Sequence, residues 1–202
     1  MDYIKDKIKD KRAKPMGIKN EFSVIAPLLY VDGEIHLLYE VRAKHLNRQP
    51  NEISFPGGKV EDGETFKEAA IRETYEELNI DKSNIRLIGE LDYIPTPYNF
   101  HIHSYLAELK NIERDNIRYS IDEVDHIFTV PIKFFLRNNP KLYYANLETF
   151  VEEDFPYDLI PNGKNYKWKK GRYPVYFYKY KEYIIWGITA RITKNLIDHL
   201  LG

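Results

Sequence analysis

The sequence predicts an α/β domain built on a mixed β-sheet with helices on both faces. Three observations carry that expectation. β-rich runs come first, then one well-marked helix, then more β-rich runs, then a closing amphipathic helix, an order typical of layered α/β domains. The 202 residues are 43% hydrophobic and 30% charged, enough to bury a core without a covalent staple. No apolar run approaches the roughly 20 residues of a membrane span; the longest candidate is "YIIWGITA".

Taken in order, residues 2–14 are charged, with Ile4 and Ile8 one helical turn apart, and end at Pro15. They predict a short helix or arm with a thin apolar stripe. Residues 1–20 are accordingly set apart as an arm, and residues 21–202 as one domain. "FSVIAPLLYV" and "GEIHLLYEVR" flank Asp32-Gly33, a hairpin signal between β-rich runs. "EISF" is a short strand entering "PGG". Thr65 and Glu68 form a capping box ahead of "FKEAAIRETYEEL", which holds no Gly or Pro and stops at Asn79. "IRLIGELDYI" and "FHIHSYLAEL" read as strands around "PTPYN", and "VDHIFTV" as another. "PIKFFLRN" is a short helix with Pro131 at its first position. Residues 138–172 show scattered aromatics and no sustained period, and are expected to be irregular. "PVYFYKYKEYIIWG" predicts a hairpin turning near Lys181-Glu182. Thr189 is expected to cap the closing helix, with Ile192, Leu196 and Leu200 along its buried stripe. There is no internal repeat.

Composition excludes several functions. Thirty basic against 31 acidic residues give a net charge of −1, without the basic excess that a sequence-independent grip on nucleic acid needs. Cysteine is absent, which removes disulfides, thiolate nucleophiles and Cys-based metal sites. The N-terminus lacks an apolar signal core, and the C-terminal "LLG" is not a peroxisomal address. Neither nucleic acid nor a membrane is an expected partner, and the expected location is cytoplasmic. The oligomeric state is left open, a homodimer among the options.

Chemistry concentrates in "GGKVEDGETFKEAAIRETYEELNI", residues 57–80. Positions 73, 76 and 77 are spaced i, i+3 and i+4, so Glu73, Glu76 and Glu77 are expected on one helix patch. Converging carboxylates cost stability unless a cation neutralises them, and hard divalent ions take oxygen ligands. Gly57 and Gly58 expose backbone at close range. Arg72 lies one turn before Glu76, and Glu64 is placed to reach it. A plain solvated acidic face after a Gly-Gly turn is the ordinary alternative; it does not account for the whole spacing.

This stretch resembles the Nudix box, G-x5-E-x7-R-E-U-x-E-E-x-G-U with U aliphatic. Gly58, Glu64, Arg72, Glu73, Glu76, Glu77 and Ile80 fall in register; Thr74 and Asn79 depart from it. The resemblance implies the Nudix fold, an α/β/α sandwich, and hydrolysis of a nucleoside diphosphate linked to another moiety. It implies that Glu76 and Glu77 bind Mg²⁺ or Mn²⁺ with the Gly58 carbonyl. Glu73 is implied to bind metal or orient water, and Arg72 and Glu64 to hold loop to helix.

The preceding "LYEVRAKHLNRQPNEISFPGG" resembles the signature of coenzyme A pyrophosphatases, L-L-T-x-R-[SA]-x3-R-x3-G-x3-F-P-G-G. Arg42, Ala43, Phe55, Pro56, Gly57 and Gly58 match; Tyr39, Glu40, Asn47 and Asn51 depart. "VPIKFF" and "IWGITARI" also resemble this subfamily. Arg42 and Arg48 are the candidate substrate-binding residues, for the 3′-phosphate of coenzyme A; Lys44 is expected to be solvated. His101 and His103 share one side of a strand and are expected to be surface residues; Glu123 is expected to be an exposed loop acid, with an auxiliary acid near the site as the alternative. Tyr166, Trp168 and Tyr173 have stacking on a ligand and local packing as equal options. Three readings are open: coenzyme A as substrate, ADP-ribose or another nucleoside diphosphate derivative, and a non-catalytic nucleotide sensor. The intact acids rank the sensor last.

Overall fold

The computed structural model describes residues 1–11 and 14–202; Arg12 and Ala13, in the predicted arm, lie outside the described residues. Helix α1 (Asp2–Ile8) buries no side chain, which suits its sparse apolar content. Strands β1 (Asn20–Val31) and β2 (Glu34–Arg42) form the predicted hairpin. Asp32 and Gly33 both have positive φ, 51° and 80°, the geometry that a two-residue hairpin turn demands. Strand β3 (Ile53–Ser54) and strand β4 (Gly57–Lys59) precede helix α2 (Phe66–Leu78). Its capping box is formed, and Asn79 takes the left-handed conformation at the C-cap, φ 51° and ψ 35°.

The predicted run "IRLIGELDYI" is not one strand. It divides into β5 (Ile85–Glu90) and β6 (Ile94–Pro95), with a register shift between Leu87 and Gly89. Both pair with β7 (Phe100–Leu109). Strand β8 (Val124–Pro131) pairs with β2, and helix α3 (Ile132–Arg137) follows with Pro131 as its N-cap, one place before the expected position. The main sheet runs β3-β2-β1-β7-β5, with β4 on β1, β6 on β7 and β8 on β2. Among the described residues only the central β1–β7 pair is parallel, so the sheet is mixed as expected.

Alternation along β1 and β2 divides the core by face. Ile25, Leu29 and Leu38 join Ala70, Leu78 and Ile80 under α2. Ala26, Leu37, Tyr39 and Val41 join Phe135 of α3 and Ile192 and Leu196 of the last helix, α4 (Gly187–Leu201). The result is an α/β/α arrangement.

The irregular stretch contains an unpredicted strand, β9 (Lys141–Leu147), pairing with β10 (Gly171–Tyr180). With β11 (Tyr183–Trp186) they form a second, three-stranded sheet. Six of the seven β9 residues are exposed, so no inward–outward alternation marked the sequence. The Lys181-Glu182 turn stands as expected between paired Tyr180 and Tyr183. Thr189 does not cap α4: it lies inside the helix, where its hydroxyl donates to the Ile53 carbonyl at 2.9 Å. Leu200 is 53% exposed, so the buried stripe ends at Leu196 and Ile197.

Gly57 fixes how close β4 lies to β1. Its φ is +152°, and a Cβ there would collide with the Ser23 carbonyl oxygen and stand 2.5 Å from the Val24 Cα. Gly57→Ala is therefore expected to destabilise the fold by about 3 kcal/mol or more, the upper range for overpacking against unyielding backbone. The nearest atoms that a methyl on Gly58 would meet are those of the Glu73 carboxylate, the free end of a flexible side chain. Gly58→Ala should cost clearly less, and urea midpoints of both variants test the order.

Candidate active site

Helix α2 approaches the sheet through small side chains. Ala69, Ala70 and Thr74 are fully buried, and the Thr74 hydroxyl donates to the Ala70 carbonyl at 2.8 Å instead of presenting an unsatisfied group. One turn further the same face carries Glu77, only 2% exposed. Its Oε2 accepts the Gly57 N–H at 2.8 Å. Glu73 is partly buried, and the Glu76 side chain is 48% exposed. The three acids differ in burial along the helix. The helix turns Glu77 inward and leaves Glu76 at the rim.

Arg72 gathers the others. Its Nε and one terminal nitrogen donate to the two oxygens of Glu64 at 2.9 and 3.0 Å, a bidentate pair. The same terminal nitrogen donates to the Lys59 carbonyl at 3.1 Å. The other reaches Glu73 at 2.9 Å and Glu76 at 3.1 Å. Loop, strand β4 and helix are thereby tied at one guanidinium. The Glu64 carboxyl is held below the usual carboxylate range, first by its bond to Arg72.

Strand β2 adds an acid that the sequence reading treated only as a departure. Glu40 is 1% exposed; its Oε1 accepts the Ser54 hydroxyl at 2.8 Å. The signal was present in "LLYEV", an acid enclosed by apolar residues on a strand. Arg42 ends the strand: its N–H donates to the Glu52 carbonyl at 2.9 Å, its carbonyl accepts from Asn51 at 3.1 Å, and its Nε is buried without a partner. Arg48 is exposed and has no side-chain hydrogen bond or ion pair among the described residues. Lys44 lies 3.5 Å from Asp125. Arg42, Lys44 and Arg48 thus stand in three different surroundings. Asn51, which departs from a signature glycine, has φ 60°. Asn79 does the same for the glycine of the box at φ 51°. Both substitutions keep the left-handed backbone that glycine would supply.

Other candidates resolve differently. His101 is buried, 4% exposed, contrary to the surface expectation, with Nε2 3.2 Å from Glu21. His103 stacks on Phe66 at 3.7 Å between centroids and pairs with Glu90 at 2.6 Å. Tyr166 and Trp168 pack edge to face at 5.0 Å, and Arg191 lies over Tyr173 at 5.3 Å. A recess of about 800 Å³ is lined by Val41, Asn51, Ile53, His126, Tyr183 and Trp186. Val41 points away from Glu40 on the strand, so this recess lies on the opposite sheet face from the acids.

Among the described residues no three His, Asp or Glu side chains are arranged as they stand to hold a metal ion. Arg72 supplies the counter-charge instead. The donors nevertheless suit a hard divalent cation: they are carboxylate oxygens, partly or wholly removed from water. Burial raises the carboxyls of Glu73 and Glu77, Glu77 strongly, against the lowering contacts from Arg72 and from the Gly57 amide. Burial also pushes Glu40 up to about 7, offset by Ser54 and Arg42 and reinforced by Glu123 and Glu73. Glu123 is exposed, as expected, yet its charge reaches Glu40, Glu73 and Glu77.

These directions give a pH dependence. A carboxyl raised in the folded state binds its proton more tightly than in the unfolded chain. Its contribution is therefore complete below pH about 4.5 and lost as pH rises through about 7. Glu40→Gln abolishes that loss. In a metal-free buffer its melting temperature should gain on wild type between pH 5 and pH 8. A constant difference across that window contradicts the assignment.

Comparison with known proteins agrees with the geometry. The sequence profile described as the NUDIX domain matches residues 19–145. The chain is 32% identical over 155 residues to the peroxisomal coenzyme A diphosphatase NUDT7 of Mus musculus, covering 73% of this chain and 63% of that one. It is 30% identical over 176 residues to Nudix hydrolase 3 of Caenorhabditis elegans, covering 83% and 68%. The mitochondrial coenzyme A diphosphatase NUDT8 of Homo sapiens is 26% identical over 191 residues, covering 94% and 71%. The chain thus spans about two thirds of the length of these relatives. Two of them are named for peroxisomes and mitochondria, which gives the cytoplasmic expectation no support; among the described residues no helix is long and apolar enough to cross a membrane. A solved structure, a C. elegans Ap4A hydrolase binary complex, is 22% identical with a TM-score of 0.48, covering 57% of this chain and 83% of that chain. With its box on α2 and the profile matched over most of its length, this chain belongs to the Nudix family.

Proposed function

We propose that the protein is a metal-dependent pyrophosphohydrolase that cleaves the pyrophosphate of coenzyme A or its derivatives, giving phosphopantetheine and 3′-phosphorylated AMP. The observation that carries the chemistry is the junction of α2 with the Gly57-Gly58 strand: Glu77 on the Gly57 amide, and Arg72 on Glu64, Glu73 and Glu76. Glu73, Glu76 and Glu77, with the Gly58 carbonyl, would hold Mg²⁺ or Mn²⁺. When bound, such an ion polarises phosphate oxygens and lowers the pKa of water.

The chain's own residues do the rest. The Glu73 carboxylate lies against Gly58, in the space that a Cβ there would take. Arg72 holds Glu64 and the Lys59 carbonyl, contacts that tie the loop to the helix independently of Glu73 and Glu76, which would hold the cation. Arg42 is the candidate for the 3′-phosphate and Arg48, exposed in the same loop, its second contact. The substrate assignment draws support from the signature around Arg42 and from the names of two relatives. ADP-ribose is the second reading. It rested on departures at Asn47 and Asn51, and the left-handed backbone at Asn51 leaves Asn47 as its main support.

Glu76→Gln and Glu77→Gln keep volume, and in the Glu77→Gln variant the amide oxygen can still accept from the Gly57 N–H. Hydrolysis should fall by roughly two orders of magnitude in each at saturating Mg²⁺. Near-wild-type rates in both variants would sink the metal-site assignment. For the substrate, kcat/KM should be about tenfold to a hundredfold higher for coenzyme A than for dephospho-coenzyme A, the worth of one charge-assisted phosphate contact. Arg42→Ala should erase most of that ratio. A clear win for ADP-ribose leaves the pyrophosphatase chemistry and removes the coenzyme A assignment.

A further inference from the structure

Glu40 has a placement that packing does not explain. Its neighbours Tyr39 and Val41 enter the core under α3 and α4, so Glu40 faces α2, as Leu38 does. It is 1% exposed, and the Ser54 hydroxyl occupies only Oε1. Oε2 is buried with no hydrogen-bond partner. An unsatisfied buried acceptor is costly, more so when it belongs to an ionisable group. Glu73 and Glu123 act on it unfavourably and Arg42 favourably, and Arg42 makes no ion pair with it. Glu40 in turn acts on Glu77.

A purely structural role at this position needs none of this. The coenzyme A signature has Thr here, a residue whose single hydroxyl fills a strand site without bringing charge. This chain instead places a carboxylate there, fixes one oxygen through Ser54, and leaves the other open on the face of the acidic helix. A hydrogen-bond donor is missing there, and so is a positive charge. A divalent cation satisfies both needs with one ligand bond.

We propose that Glu40 is a ligand of the divalent cation, a carboxylate contributed by the sheet in addition to those of α2, with Ser54 as its positioning residue. The inference rests on the metal-dependent function proposed above and adds a ligand from outside the helix. Hard cations of this class accept six or more oxygens, so a further carboxylate has a place in the coordination shell. The cation is then held from strand and helix together, and its binding joins β2 to α2.

The test is Mn²⁺ binding without substrate, followed by electron paramagnetic resonance of the free ion, in wild type, Glu40→Gln, Glu40→Thr and Glu123→Gln. Loss of a ligand should raise the Mn²⁺ dissociation constant about tenfold or more in both Glu40 variants. Glu123→Gln removes a nearby but exposed charge and should change it less than about threefold. Melting in EDTA identifies folded variants; Glu40→Thr restores the signature residue should the amide fail to pack. A Glu40 variant that is folded and binds Mn²⁺ within about twofold of wild type overturns the proposal, as does an equal loss in Glu123→Gln, which would mark a field effect. If wild type itself shows no saturable Mn²⁺ binding, the metal-dependent function falls and this inference with it.

Discussion

The Glu77 carboxylate accepting the Gly57 amide is the contact on which the site depends. It exists because α2 carries Ala69, Ala70 and Thr74 where larger side chains would hold the helix away from β1 and β4. That close approach carries an acid into the interior and brings the glycine backbone to meet it. Gly57 can meet it only because it has no side chain against Ser23 and Val24. One close helix–sheet contact thus sets strand spacing, the burial of Glu77 and the position of Gly58 beneath Glu73.

Around this contact the protein accumulates acids that oppose one another. Glu40, Glu73 and Glu77 are each raised by desolvation, and Glu123 adds to all three. Arg72 is the compensating cation, with its acidic partners on a loop, a helix and the rim. A folded chain rarely keeps such repulsion unless function uses it, and buried carboxylates perturbed together in a cleft are a physical reason to look for chemistry. The arrangement trades stability for a strong local demand for positive charge.

Much of this was legible in the sequence. The helix bearing the acids was fixed at both ends by local chemistry, Thr65 with Glu68 and then Asn79, and those signals work without tertiary help. Asp32-Gly33 and Lys181-Glu182 were read for the same reason. What escaped had its cause elsewhere in the fold. β9 is exposed along six of its residues and owes its conformation to β10, so no pattern announced it. Thr189 looked like a cap until Ile53 offered it a carbonyl from across the fold. Helical spacing placed Glu73, Glu76 and Glu77 near one another, but which of them turns inward depends on the sheet beneath. Glu40 stood out only as a mismatch, because its significance lies in what α2 brings to it.

The parallel pairing at the centre of the sheet bears on how the chain acquires its shape. Asn20 pairs with Phe100 and Leu28 with Glu108, so the middle of the sheet joins segments far apart in sequence. The β1–β2 hairpin and α2 are local and can form early, whereas β1 gains its second neighbour only when β7 arrives. Such long-range pairing slows folding, because loop closure precedes the contacts that reward it. During synthesis the β1 edge stays open until residues beyond 109 are available. The β2 edge waits longer, for β8 after residue 124. In that interval Glu40, an acid later sealed in the interior, stands on the open β2 edge. A charge at such an edge discourages pairing with another chain.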